Sequence, residues 1–149
     1  MRSKVWLIIL SLFLLSGCKT EEHFSNFPFA PVNFMIDLNG LDSDLHELSY
    51  KIFHQGRFFQ EHVGLGGLLV FRNTAGEIIA FDLSCPHEAS KEIRVKPNDF
   101  WKAECPACGS SFDMLNGLGS PVSGPSKSYL KKYNASPNFH QKGQYLIKN

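Results

Sequence analysis

The sequence has little excess charge of either sign, since 15 Lys and Arg residues stand against 14 Asp and Glu residues. It also has no basic run and no interleaving of basic with aromatic residues. Proteins that bind nucleic acid depend on clustered basic side chains that contact phosphates. These absences therefore argue against a nucleic-acid partner.

Long apolar runs are lacking as well. Residues 5–15, VWLIILSLFLL, form a run of eleven residues that contains one serine. A helix that spans a bilayer needs roughly 20 apolar residues, so this run is too short to cross a membrane comfortably. A short apolar run after a basic start, here with Arg2 and Lys4, is typical of a secretory signal peptide.

The signal-like segment ends in Leu-Ser-Gly-Cys18, which resembles the lipobox of bacterial lipoproteins. The resemblance implies a signal peptide over residues 1–17, a lipidated Cys18 and a polar tether over residues 18–31. We therefore expect a lipid anchor in the cell envelope, outside the cytoplasm, on the periplasmic side or in the outer membrane or surface. The alternatives are an ordinary signal peptide with an incidental cysteine and an uncleaved anchor.

The remaining chain suits a single domain over residues 32–149 and shows mainly strand signals. Residues 32–38 alternate apolar and polar side chains, as a half-buried strand does. Residues 40–64 give a mixed signal, because Leu41, Leu45 and Leu48 fit a short helix while residues 50–53 fit the start of a strand. Residues 117–126 are rich in Gly, Ser and Pro. The other strand predictions are a hairpin of 68–71 with 77–83, a second hairpin of 93–95 with 100–103 about a turn at 96–99, and strands at 130–134 and 144–147.

Cysteine is scarce: with Cys18 assigned to lipid, only Cys85, Cys105 and Cys108 remain. An odd number in an exported chain argues against a simple disulfide framework. Cys85 and His87 form a Cys-x-His pair, and Cys105 and Cys108 form a Cys-x-x-Cys pair, each after a predicted hairpin. These four ligands predict a metal site, and they suit tetrahedral Zn²⁺ or an iron–sulfur cluster equally well.

The surroundings of the two pairs resemble the Rieske [2Fe–2S] family. Cys85-x-His87 is followed by 17 residues, then by CPACGSSFD at 105–113, and later by Gly124-Pro125. The family reads Cys-x-His, a spacer, Cys-x-x-His-Gly-Ser-x-Phe and a later Gly-Pro loop. This chain departs from the pattern at one ligand position, because Cys108 stands where the family has its second histidine.

The resemblance implies an all-β, antiparallel sandwich over residues 32–149 with two metal-binding loops at one tip. Cys85 and Cys105 would hold one iron, and His87 and Cys108 the other. Ser90 and Ala107 stand where high-potential members carry a disulfide, so the chain resembles the disulfide-free branch, as in oxygenase ferredoxins. The resemblance also assigns supporting roles: a tight turn to Gly109, a hydrogen bond toward the cluster to Ser110, and shielding from water to Gly124 and Pro125.

For function, the resemblance implies a carrier that passes single electrons to a redox partner protein, rather than an enzyme with its own substrate. Replacing a neutral histidine by the Cys108 thiolate adds negative charge, which should lower the reduction potential. Two alternatives remain open. One is a structural zinc, and the other is a metal-free scaffold with a Cys105–Cys108 disulfide; either would make the domain a non-redox binding or structural module.

Overall fold

The computed structural model describes residues 27–149, which form eleven β-strands. No helix long and apolar enough to cross a bilayer occurs in this part of the chain. The predicted signal peptide at 1–17 and Cys18 lie outside the described residues, as does most of the predicted tether. The strands are Val32–Asp37 (β1), Ser49–Phe53 (β2), His62–Val63 (β3), Leu68–Arg72 (β4), Ile78–Asp82 (β5), Lys96–Pro97 (β6), Lys102–Glu104 (β7), Ser111–Asp113 (β8), Ser120–Ser123 (β9), Lys132–Pro137 (β10) and Gln144–Lys148 (β11).

Two sheets make up the domain, and every strand pairing within them is antiparallel. The larger sheet has seven strands in the order β2-β4-β5-β10-β11-β1-β3, and the smaller has four in the order β6-β7-β8-β9. Strand β10 joins two parts of the larger sheet, because Lys132 and Tyr133 pair with β5 while its later residues pair with β11. The predicted all-β, antiparallel fold is confirmed.

Strands β4 and β5 are buried on both faces, which explains their nearly continuous apolar sequences. Leu69, Phe71, Ile79 and Phe81 pack into one core with Phe112 of the smaller sheet. The alternate side chains of β4 and β5 point to the opposite face and pack into a second core. This core also contains side chains of β1 and β11. The predicted hairpin is confirmed, with Phe71 opposite Ile79.

The second predicted hairpin is displaced along the chain. Lys96 and Pro97, predicted as its turn, form β6 and pair with β7. The predicted strand 93–95 instead folds back onto the preceding segment, where the Ile93 carbonyl accepts from the Cys85 amide at 3.1 Å. The Val95 amide likewise donates to Leu83 at 2.8 Å. The backbone of residues 93–95 therefore forms hydrogen bonds within the first cysteine loop and does not pair with a hairpin strand.

Two further segments had no clear strand prediction. In the mixed stretch 40–64, the possible strand at 50–53 is confirmed as β2, whereas the possible short helix before it is wrong, because that part of the chain forms turns. The Gly-, Ser- and Pro-rich stretch contains β9, which pairs with β8 through a register shift. The composition of β9 does not predict a strand, because its side chains are not buried. Its place in the sheet comes from pairing with a neighbouring strand.

Candidate metal centre

The first cysteine loop, residues 83–95, leaves the end of β5 and carries Cys85 and His87. Its turn is closed by the Ala89 amide, which donates to the Cys85 carbonyl at 2.8 Å. The amides of Glu88 and His87 also donate to the Cys85 sulfur. Burial raises the pKa of Cys85 to about 12, against the opposing effect of these two amides. The Cys85 thiol thus stays protonated at neutral pH unless a cation displaces the proton.

The second cysteine loop, residues 105–110, connects β7 to β8 and turns back on itself. The Cys105 amide donates to the Ser110 carbonyl at 2.8 Å, and the Gly109 amide donates to the Cys105 carbonyl at 3.0 Å. Gly109 has a φ of 72°, in the left-handed region that glycine adopts without strain. This turn carries Cys105 and Cys108 on the same side of the loop.

The two loops bring three sulfur atoms together. The Sγ atoms of Cys85, Cys105 and Cys108 all lie within 4.8 Å of one another. Cys85 Sγ and Cys108 Sγ are 3.7 Å apart although they belong to different loops. Cys85 and Cys105 are buried, Cys108 is half-buried, and none of the three forms a disulfide.

His87 occupies a different position from the cysteines. Its side chain is exposed on the first cysteine loop and does not belong to the sulfur group. The structure therefore brings three of the four predicted ligands together and leaves the fourth on the solvent side of the same loop.

Ser110 contacts Cys108 directly, with the hydroxyl oxygen 3.2 Å from Sγ. This buried hydroxyl also accepts a hydrogen bond from the Ser126 amide at 3.0 Å, which leaves its own proton free to face the sulfur. Burial acts to raise the pKa of Cys108, but hydrogen bonds from the Ser110 side chain and amide lower it below the usual value of a thiol. Ser110 thus favours the thiolate form of Cys108.

Gly124 packs closely against the second cysteine loop. Its φ is 86°, and a Cβ at this position would lie 2.4 Å from the Ser110 Cα. Only glycine permits this approach, which brings the backbone after β9 onto Ser110. Pro125, predicted to shield the site, is itself exposed. The buried neighbour Ser126 makes the contact with the loop instead.

Asp82 was missed by sequence reasoning, although it supports the first cysteine loop. Its buried carboxylate accepts hydrogen bonds from the amides of Leu65, Gly66 and Ser84 at 2.6, 3.0 and 2.7 Å. The Tyr133 hydroxyl donates a fourth at 2.7 Å, and burial together with this carboxylate raises the pKa of Tyr133. The only sequence signal was that Asp82 interrupts the apolar residues of the predicted strand EIIAFDL.

The donor set fits an iron–sulfur group in its chemistry. Three cysteine sulfurs converge from two loops, backbone amides donate to two of them, and His87 offers an imidazole two positions after Cys85. Thiolates are the ligands that iron–sulfur clusters prefer, and an imidazole replaces some of them in clusters of higher potential. The residues present can therefore supply four ligands of the right kind.

These features define a small all-β domain in which two loops bring three cysteine sulfurs together. The family model of the Rieske [2Fe-2S] domain matches residues 44–134, more than half of the chain. The chain therefore belongs to the Rieske [2Fe–2S] domain family, and the expected family is confirmed.

Two solved structures are also similar. One, titled as a complex of reduced oxygenase and oxidised ferredoxin in carbazole 1,9a-dioxygenase, is 19% identical with a TM-score of 0.44, covering 70% of this chain and 93% of that one. The other, a putative NADH-dependent nitrite reductase small subunit from Mycobacterium tuberculosis, is 14% identical with a TM-score of 0.46, covering 80% and 96%. No curated protein matches the chain. Family membership rests on the family model and not on these two structures.

Proposed function

We propose that this protein is a one-electron carrier that holds a [2Fe–2S] cluster through Cys85, His87, Cys105 and Cys108. The observation that carries the proposal is the convergence of three cysteine sulfurs from two loops in a Rieske-family chain. When bound, the cluster supplies a one-electron oxidation–reduction couple. The partner is a redox protein, and the domain itself transforms no substrate.

The residues around the sulfurs have separate tasks in this proposal. Amides of the first cysteine loop and the Ser110 hydroxyl donate to Cys85 and Cys108, which offsets the negative charge of buried thiolates. The backbone at Gly124 packs against Ser110 and so supports the second cysteine loop. The exposure of His87 favours a ligand at the solvent side, where an electron-transfer partner can approach.

We further propose that the domain is exported and lipid-anchored through Cys18. The support is the sequence alone: a basic start, a short apolar run and small residues before the cysteine. With Cys18→Ala the chain should move from the membrane fraction to the soluble fraction of the cell envelope. Retention of the variant in the membrane would contradict the anchor.

The experiment that tests electron transfer is metal analysis of the full chain purified without oxygen. We expect a coloured protein with about two irons and two acid-labile sulfides per chain and an electron paramagnetic resonance signal after reduction. A colourless protein that carries one zinc would refute the proposal in favour of the structural-zinc alternative. Cys105→Ser is the control, and it should lose both iron and colour.

A further inference from the structure

The exchange of histidine for Cys108 adds a thiol to the centre, and this thiol contacts the opposite loop. Cys108 Sγ lies 3.7 Å from Cys85 Sγ, across the gap between the first and second cysteine loops. A site with an imidazole at this position would have no sulfur there. The contact is therefore a property of this chain rather than of the family pattern.

Access decides which sulfur an oxidant meets first. Cys85 and Cys105 have relative exposures of 0% and 2%, so neither is open to a molecule in solution. Cys108 is half-buried and is the one member of the group with an exposed surface. Once Cys108 has reacted, the Cys85 thiol lies 3.7 Å from its sulfur on the opposite loop, and Cys105 Sγ also lies within 4.8 Å.

The geometry also suits a bond between these two residues. A disulfide requires sulfur atoms about 2.05 Å apart, so the pair must close by roughly 1.7 Å. Within each loop the backbone at the cysteine is already held, since the Cys85 amide donates to the Ile93 carbonyl and the Cys105 amide donates to the Ser110 carbonyl. Because the loops are adjacent before the bond forms, no large backbone movement is needed.

We propose that Cys85 and Cys108 form a second, thiol–disulfide site in the metal-free chain. A small disulfide such as oxidised glutathione is attacked by Cys108, giving a mixed disulfide and releasing one thiol. The Cys85 sulfur then attacks the Cys108 sulfur, forming the Cys85–Cys108 bond and releasing the second thiol. Two cysteine thiols are oxidised, one small disulfide is reduced to two thiols, and each cysteine proton leaves with a released thiol.

This bond would govern loading of the metal centre, a consequence that rests on the proposed function. It uses two of the four proposed ligands and leaves Cys105 as a free thiol. Outside the cytoplasm, where disulfides persist, the chain would accept its metal group only after reduction of the bond. The same contact that binds metal in the reduced chain would thus block it in the oxidised chain.

Peptide mapping of the full chain, stripped of metal and equilibrated with oxidised glutathione, tests the disulfide. Trypsin cuts after Lys91 and Lys102, so Cys85 lies on a different peptide from Cys105 and Cys108. We expect the two peptides to be joined, with Cys105 as the residue that a thiol-alkylating reagent labels. Cys105→Ser should keep the joined peptides, whereas Cys108→Ser should leave Cys85 unbridged.

A bridge within the Cys105–Cys108 peptide, a joined pair with Cys108 labelled, or three labelled thiols would each overturn the proposal. Loading is tested by iron and sulfide uptake, where the oxidised chain should take up at least tenfold less iron than the same chain after dithiothreitol. Equal uptake would refute the loading block. If neither form takes up iron, the electron-transfer proposal fails, while the peptide map still decides the disulfide.

Discussion

At the scale of single residues, Cys108 stands where the pattern Cys-x-x-His-Gly-Ser-x-Phe has a histidine. The Ser110 hydrogen bonds that lower its pKa show a site already suited to a thiolate. A thiolate carries a full negative charge where histidine would be neutral. In the proposed centre this charge disfavours addition of an electron, because the reduced state is more negative than the oxidised state.

Cys108→His should therefore raise the midpoint potential of the loaded protein. Clusters with two histidines lie well above all-cysteine clusters, so one exchange should shift the potential on the order of 100 mV upward. The measurement is a redox titration followed by electron paramagnetic resonance. Ser110→Ala, which removes a hydrogen bond but no ligand charge, is the comparison variant and should shift the potential much less. An unchanged potential in Cys108→His would count against the charge argument.

At the scale of elements, the turn after β9 depends on a close backbone approach. Gly124 and Gly109 both have positive φ, but they differ in the space around them. A Cβ at Gly124 would lie 2.7 Å from the Ser110 amide nitrogen, whereas a Cβ at Gly109 would meet nothing within 4 Å. A substitution at Gly109 therefore introduces backbone strain alone, whereas one at Gly124 introduces backbone strain and steric overlap.

Gly124→Ala should destabilise the domain more than Gly109→Ala. The left-handed conformation costs an alanine about 1–2 kcal/mol at either position. Overlap with the second cysteine loop should add about 1–3 kcal/mol at Gly124 alone. Urea denaturation of both variants measures the difference in the free energy of unfolding. Equal losses would show that the turn after β9 can move away from Ser110 without cost.

At the scale of the whole molecule, a buried ion cluster fastens one end of the larger sheet. Asp42 is fully buried and lies 2.9 Å from the Lys51 ammonium and 3.1 Å from the Arg57 guanidinium. The guanidinium also stacks 4.6 Å from the centre of the Phe34 ring and 5.2 Å from that of Phe53. Charge and aromatic contacts thus link β1, β2 and the loop before β3.

Asp42→Asn should lower the free energy of unfolding by about 3 kcal/mol, because it leaves two partly buried cations without their shared partner. Asp44→Asn is the matched control, since Asp44 also pairs with Lys51, at 2.8 Å, but is exposed. Solvent screens that pair, so its loss should change stability little. Thermal and urea unfolding would check both variants, and equal effects would argue against a role for the buried cluster.

Local patterns in the sequence were enough to predict several strands and a candidate metal site. The apolar runs of β4 and β5 predicted a hairpin, because strands buried on two faces need apolar side chains at every position. The spacing of Cys85, His87, Cys105 and Cys108 predicted a metal site. Ligand type and local turns depend only on residues that are close together in the sequence. Strand β9 and the true position of the second hairpin had no such local signal.

Only the tertiary structure decided how the distant parts meet. It placed Cys108 beside Cys85 and left His87 exposed, since these positions depend on how two loops pack rather than on spacing. It also gave Asp82 four hydrogen-bond donors from three separate segments. A buried carboxylate is stable only when such donors converge on it, and their convergence is a property of the folded chain.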